Sequence, residues 1–287
     1  MIFDVLTLFP AIFDSFLTQS LLAKALTKGI ITVNLINIRD FTSDRHRTAD
    51  DRPYGGGPGM VLKPEPLGLA LESVLAQAPP QRLVINLTPS GRQLDQDLVR
   101  ELSARPRLIL LCGRYEGIDQ RVLDVYSNLE LSIGDYVLNG GEVPAMVLIE
   151  ALSRLIAGFL GDEESLLDES YSSGLLEYPH YTRPRVWRNL AVPEILVSGN
   201  HAQVAAFRLA EAVAKTRARR PDLLASPDLE KRQAEIFSRP GSPLKPRPDQ
   251  TQSSPEPTAQ SSGHDDRSNQ PSPPGQPGQA GQADQPD

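Results

Sequence analysis

The chain has 287 residues, 39% of them hydrophobic, and a formal net charge of −7. This apolar content suffices for one substantial core or two modest ones. The single cysteine, Cys112, excludes an intramolecular disulfide and a multi-cysteine metal site, and it points to a reducing, cytoplasmic compartment.

The opening MIFDVLTLFPAIF carries Asp4 and Pro10 and has no basic leader, so it reads as strand then loop and not as a signal peptide. No apolar stretch is long enough to span a bilayer. β-Branched or leucine-rich runs over 3–9, 31–38, 83–87, 108–112 and 129–133 predict buried strands. Helical patterns over 20–27, 67–77, 95–104 and 143–160 alternate with them, the third opened by Asp95 as a cap and closed before Pro106. This alternation predicts an α/β domain over 1–160, with a largely parallel sheet and a ligand at the carboxyl ends of the strands.

After Gly161 the run DEESLLDESYSS has no clear period, and 161–176 reads as an interdomain linker. Helical patterns return over 202–219 and 228–237, predicting a small helical domain over 177–239. From 240 to 287 Pro, Gly, Ser and Gln dominate and aromatics are absent, so that stretch is expected to be a disordered tail. The tail's six acidic and three basic residues contribute −3, leaving −4 on the rest. Net charge is thus a poor guide to partners. Cations cluster at Arg183, Arg185 and Arg188 and again at Arg208, Lys215, Arg217, Arg219 and Arg220, as a nucleic-acid surface requires. Taken alone, such runs are more often solvated helix faces.

Four segments carry chemistry. The first, RPYGGGPGM (52–60), lacks the Gly-Lys-Ser/Thr of a phosphate loop, but His46, Arg47, Asp50, Asp51 and Arg52 set cations and carboxylates beside a mobile backbone. LCGRYEG (111–117) and SIGDYVLNGGEVP (132–144) follow strands, where loop backbone is free to meet a ligand. In the latter, glycines surround Tyr136, Val137 and Leu138, so the backbone can bond an adenine while apolar side chains pack on the ring. Finally, SYSSGLLEYPHYTRPRVWR (170–188) sets Glu177 among aromatics, prolines and cations. Arg154 lies in the apolar pattern 143–160, where a charge needs a partner or a ligand.

With these motifs, the chain from Met1 to about Ser238 resembles the TrmD family of bacterial tRNA (guanine-N1)-methyltransferases, members of the SPOUT superfamily. The resemblance implies a sheet carrying a deep trefoil knot over about 83–160, an exception to unknotted connectivity. It implies S-adenosylmethionine held by Leu87, Thr88, Pro89, Gly113, Tyr115, Glu116, Ile133, Gly134, Asp135, Tyr136, Val137, Leu138, Gly140, Gly141 and Pro144. It implies tRNA contacts from Asp50, Arg52, Arg183, Arg217, Arg219 and Arg220, and a homodimer in which one subunit's knot holds the cofactor and the other's linker supplies the base. Magnesium is associated with such activity, though no dedicated metal site is visible in the sequence. The target implied is N1 of the guanosine immediately 3′ of the anticodon.

N1 of guanine bears a proton that must leave before the lone pair can attack a methyl sulfonium. Charge then spreads to O6, where a fixed guanidinium stabilises the transition state. Glu177 is accordingly expected as general base and Arg154 as its electrostatic partner. Many family members carry aspartate at the position of Glu177, in a motif otherwise kept as GLLxxPxYTRP; glutamate is one methylene longer with nearly the same intrinsic pKa. Two alternatives stay open: an RNA-binding protein on the same fold, and a methyltransferase acting at another RNA position.

Overall fold

The computed structural model describes residues 1–161, 169–226, 229–230 and 234, all within one compact unit. The tail 240–287, linker residues 162–168 and most of the pattern 228–237 lie outside the described residues.

Five strands, β1 (Ile2–Thr7), β2 (Thr32–Asn37), β5 (Leu83–Gln93), β6 (Arg107–Cys112) and β7 (Leu129–Ser132), form one parallel sheet in the order β2-β1-β6-β5-β7. Two-residue strands β3 (Asp50–Asp51) and β4 (Val61–Leu62) make a separate antiparallel pair. The period of two along the sheet strands sorts their side chains onto two faces. Phe3, Val5, Ile85, Leu87, Leu108 and Leu110 point to one face, where α2 (Ser20–Thr27), α4 (Gln96–Ser103) and α6 (Glu142–Ser153) supply Leu22, Leu98, Leu102, Leu148 and Leu152. Leu6, Val84, Ile109 and Leu111 point to the other, against Leu67, Leu71 and Val74 of α3 (Pro64–Leu75) and Val122 of α5 (Gln120–Tyr126). Burial on both faces explains why the strands read as continuous apolar runs. A short helix, α1 (Asp14–Leu17), follows a 3₁₀ turn over Pro10–Phe13.

The strands and helices expected over 1–160, and the helix expected over 202–219, are present with shifted ends. Asp95 caps α4 by accepting from the Leu98 N–H at 2.8 Å. The pattern over 143–160 yields a shorter helix: α6 ends at Ser153, Arg154 is its C-cap, and the chain turns through Gly158 at φ +81°. Arg154 therefore stands at a helix terminus, not within the apolar helix.

Residues 175–178 pack on α7 (His201–Arg219), where Leu175 and Tyr178 bury against Ala212. A short helix, α8 (Pro221–Leu224), follows. This part is not wholly helical. Strands β8 (Val186–Trp187) and β9 (Leu190–Ala191) form a hairpin closed by Arg188 and Asn189, both at positive φ. Two left-handed residues match the right-handed twist of the paired strands, and Asn adopts that region readily. Among the described residues no helix is long and apolar enough to cross a membrane.

Candidate active site

Three chain crossings at the carboxyl ends of β5, β6 and β7 enclose a cavity of about 470 Å³, within the range of roughly 300–1,000 Å³ usual for small-molecule sites. The first crossing is a break in β5. Leu87 and Arg92 both pair with Leu131, so 88–91 loop out of the strand and present Thr88, Pro89 and Ser90 to the cavity. Gly91 permits the strand to resume, since a Cβ there would stand 2.3 Å from the Leu131 backbone nitrogen. The second crossing, 113–118, and the third, 133–141, are laced together: Gly141 N–H donates to the Gly113 carbonyl at 2.9 Å, and Arg114 bridges to Gly140. A Cβ on Gly141 would meet Cys112 Cα at 2.6 Å, so these backbones touch because that residue has none.

Of the positions expected to hold the cofactor, all but Asp135 line this cavity. Half-exposed Tyr115 and Tyr136 and the apolar Leu138 are available to a ring, and free loop backbone to hydrogen bonds. The lining thus fits an adenosyl group.

Sequence reasoning missed the pair beneath the loops. Glu142, 1% exposed, accepts from the Thr7 hydroxyl at 2.7 Å. Its other oxygen is 2.9 Å from Arg114 Nε without forming a directed hydrogen bond. Arg114 also lies over the Phe9 ring at 4.7 Å and donates to the Asn139 carbonyl at 3.4 Å. It therefore ties the second crossing to the third. The available signal was an acid in the first turn of an otherwise apolar helix, which must find a cation. Glu142→Ala is expected to cost about 3–5 kcal/mol by leaving Arg114 uncompensated, read as a lowered urea midpoint. Burial and the Glu142 charge also push the Cys112 thiol well above its ordinary pKa, which makes it a packing residue and not a nucleophile.

The glycine-rich segment connects β3 to β4, and β4 is held to the cavity wall: Glu116 N–H donates to the Met60 carbonyl at 3.0 Å, and Leu62 N–H to the Gly117 carbonyl at 3.0 Å. Asp50 and Arg52 stand at the start of this flap. His46 lies in a turn organised by Asp44, whose carboxylate bonds to Thr48 hold its pKa low.

Arg154 and Glu177, expected to share a centre, are not paired. The Arg154 guanidinium meets the carboxylate of Glu169, with both side chains about one-third exposed (37% and 32%). The Glu177 carboxylate instead bonds His180 Nε2 at 2.6 Å, while its backbone is fixed by Ser170 and Lys215. Nor do the cations of α7 act alike. Lys215 donates to the Glu177 carbonyl at 2.8 Å, and Arg220 is paired with Asp222 and lies over Tyr171. Arg217 and Arg219 are exposed in the last turn, without an ion-pair partner among the described residues. Among those residues no group of three or more His, Cys, Asp or Glu could hold a metal ion, so none is assigned as a magnesium ligand.

The family model described as "tRNA (Guanine-1)-methyltransferase TrmD" matches residues 1–226. The chain belongs to that family. Its relatives include a tRNA (guanine-N(1)-)-methyltransferase of Thermomicrobium roseum, 54% identical over 237 residues, covering 83% of this chain and 88% of the relative. One from Chloroflexus aggregans is 56% identical over 223 residues, covering 78% and 87%. Another from Geobacter sulfurreducens is 51% identical over 227 residues, covering 79% and 92%. The family match extends through both the cavity loops and α7, so it spans every site residue described above.

Proposed function

We propose that this chain transfers the methyl group of S-adenosylmethionine to N1 of the guanosine immediately 3′ of the anticodon in tRNA, in the cytoplasm. The observation that carries the chemistry is the contact between Arg154 and Glu169. At its N1/O6 edge guanine offers a donor beside an acceptor; a carboxylate beside a guanidinium offers the complement. Glu169 accepts the N1 proton, and Arg154 stabilises the charge that develops on O6. On this geometry Glu169, and not Glu177, serves as base, while Glu177 with His180 orients the segment that follows. Bound in the cavity, the cofactor supplies a methyl group already activated on a sulfonium. The cavity loops need only hold and orient it, through the knotted crossings that the family implies.

Catalysis requires two copies of the chain. Gly141 and Pro144 of α6 line the cavity, and Arg154 lies ten residues past Pro144, roughly 15 Å along the helix. Arg154 and Glu169 of one chain are thus remote from that chain's own cavity. The stripe of α6 that carries exposed Val143, Val147 and Glu150 ahead of half-buried Arg154 gives a second copy an apolar seat.

The segment 177–239 is proposed to hold the tRNA, with Arg217 and Arg219 of α7 on its phosphates. Neutralising Arg217 and Arg219 together is expected to weaken tRNA binding and lower the log–log salt slope by up to about two units, leaving cofactor affinity unchanged. Filter binding across a salt series checks this. Methylation of a tRNA transcript, with mapping of the modified atom, tests the function itself. Transfer to a different nucleotide, or none, would reject it.

A further inference from the structure

A second cavity, of about 440 Å³, lies apart from the cofactor loops and is lined by Tyr178, His180, Tyr181, Arg183, Arg185 and Arg208, over an aliphatic floor from the 3₁₀ turn Glu194–Val197. No carboxylate lines it, and two that touch its lining residues are engaged there, Glu177 with His180 and Glu194 with Arg185 at 2.5 Å. The Arg208 guanidinium lies over the Tyr178 ring at 4.9 Å, and its Nε is buried without an acceptor. Arg183 is exposed and has no ion-pair partner among the described residues. Tyr181 presents a half-exposed ring to the same space.

We propose that this cavity binds one unstacked nucleotide of the substrate RNA other than the one methylated, its base on Tyr181 and its phosphate on Arg183 and Arg208. The proposal rests on tRNA being the substrate. A buried donor without an acceptor calls for an anion, and an aromatic face beside planar guanidinium groups is how single-stranded nucleotides are held. Arg154 and Glu169 are not part of the lining, so the nucleotide held here is a neighbour that fixes register. A guanosine flipped towards the methyl donor leaves adjacent loop nucleotides unstacked, and capturing one offsets that cost.

The test uses the full chain and a tRNA transcript, with Tyr181→Ala and Arg183→Ala, both at exposed side chains whose removal should leave the fold intact. Each is expected to raise the tRNA KM about tenfold, as loss of a base-stacking or phosphate contact does. The single-turnover rate at saturating tRNA should stay within about twofold of wild type, since the reacting groups are untouched. Arg183→Ala should also flatten the salt slope by about one unit, and Tyr181→Ala should not. A photo-crosslinking residue at position 181 should label a single anticodon-loop nucleotide. If the wild type methylates tRNA while both variants keep its KM, the cavity does not bind RNA. If the saturating rate falls with KM, the cavity holds the reacting guanosine instead, which also overturns the proposal. A wild-type protein that neither binds nor methylates tRNA would sink the functional reading along with it.

Discussion

Glu169→Gln is expected to lower the single-turnover methylation rate about 10²–10⁴-fold while leaving S-adenosylmethionine affinity near normal, because the amide keeps the shape but cannot take the N1 proton. Arg154→Ala should lose about 10²–10³-fold, since it removes charge stabilisation at O6 and not the base. The loss should fall on the rate and not on KM, because both interactions strengthen as the transition state forms. Glu177→Gln provides the contrast. Its carboxylate is engaged with His180, so the variant should cost less than about tenfold, chiefly by loosening the 177–180 segment. If Glu177→Gln fell as far as expected for Glu169→Gln, and Glu169→Gln kept more than a third of wild-type rate, the base would be Glu177 and the Arg154–Glu169 contact only a tether for the linker.

The contrast marks where sequence alone was informative. Strands such as Arg107–Cys112 were legible because both faces are buried and every residue from Leu108 to Cys112 is apolar, and α4 because Asp95 is a capping residue three positions before its N–H partner. The cavity lining was expected chiefly from the family resemblance, with the glycines around Tyr136, Val137 and Leu138 as the local signal. Gly91, whose close approach to the Leu131 backbone lets β5 resume, lies beyond the expected strand 83–87 with no neighbouring glycine to flag it. Pairings across long separations were not legible. Glu142 finds Thr7 at 135 residues' distance and Arg114 at 28, and nothing in local periodicity encodes such partners. The same limit applied to Arg154. Six carboxylates follow it, Asp162, Glu163, Glu164, Asp168, Glu169 and Glu177. The aromatic and cationic surroundings of the last single it out in the sequence, whereas the Arg154 guanidinium, just past the end of α6 at Ser153, meets Glu169. The hairpin β8–β9 escaped notice because each strand is only two residues long and wholly exposed, so no alternation could register.

Mixing two inactive variants is expected to restore activity. Gly141→Ala would force a Cβ to within 2.6 Å of Cys112 Cα and close the cavity, abolishing cofactor binding, while Glu169→Gln removes the base. Each homodimer should be inactive for a different reason. If one chain's cavity works with the other chain's Glu169, a mixed dimer carries one site with both lesions and one with neither. Random exchange of equal amounts then gives about a quarter of wild-type activity per total chain, since half the dimers are mixed and each has one intact site. Co-unfolding and refolding, or co-expression with two tags and purification of the mixed species, would supply the sample, and the mixed species alone should reach about half. The geometric reason is the length of α6, with the cavity at its first turn and Arg154 at its last. A site built within one chain would leave every mixture as inactive as its components, provided the Gly141→Ala chain is folded and exchanges, which its melting transition and the tagged pull-down establish. Absence of recovery under those conditions would place catalysis within a single chain.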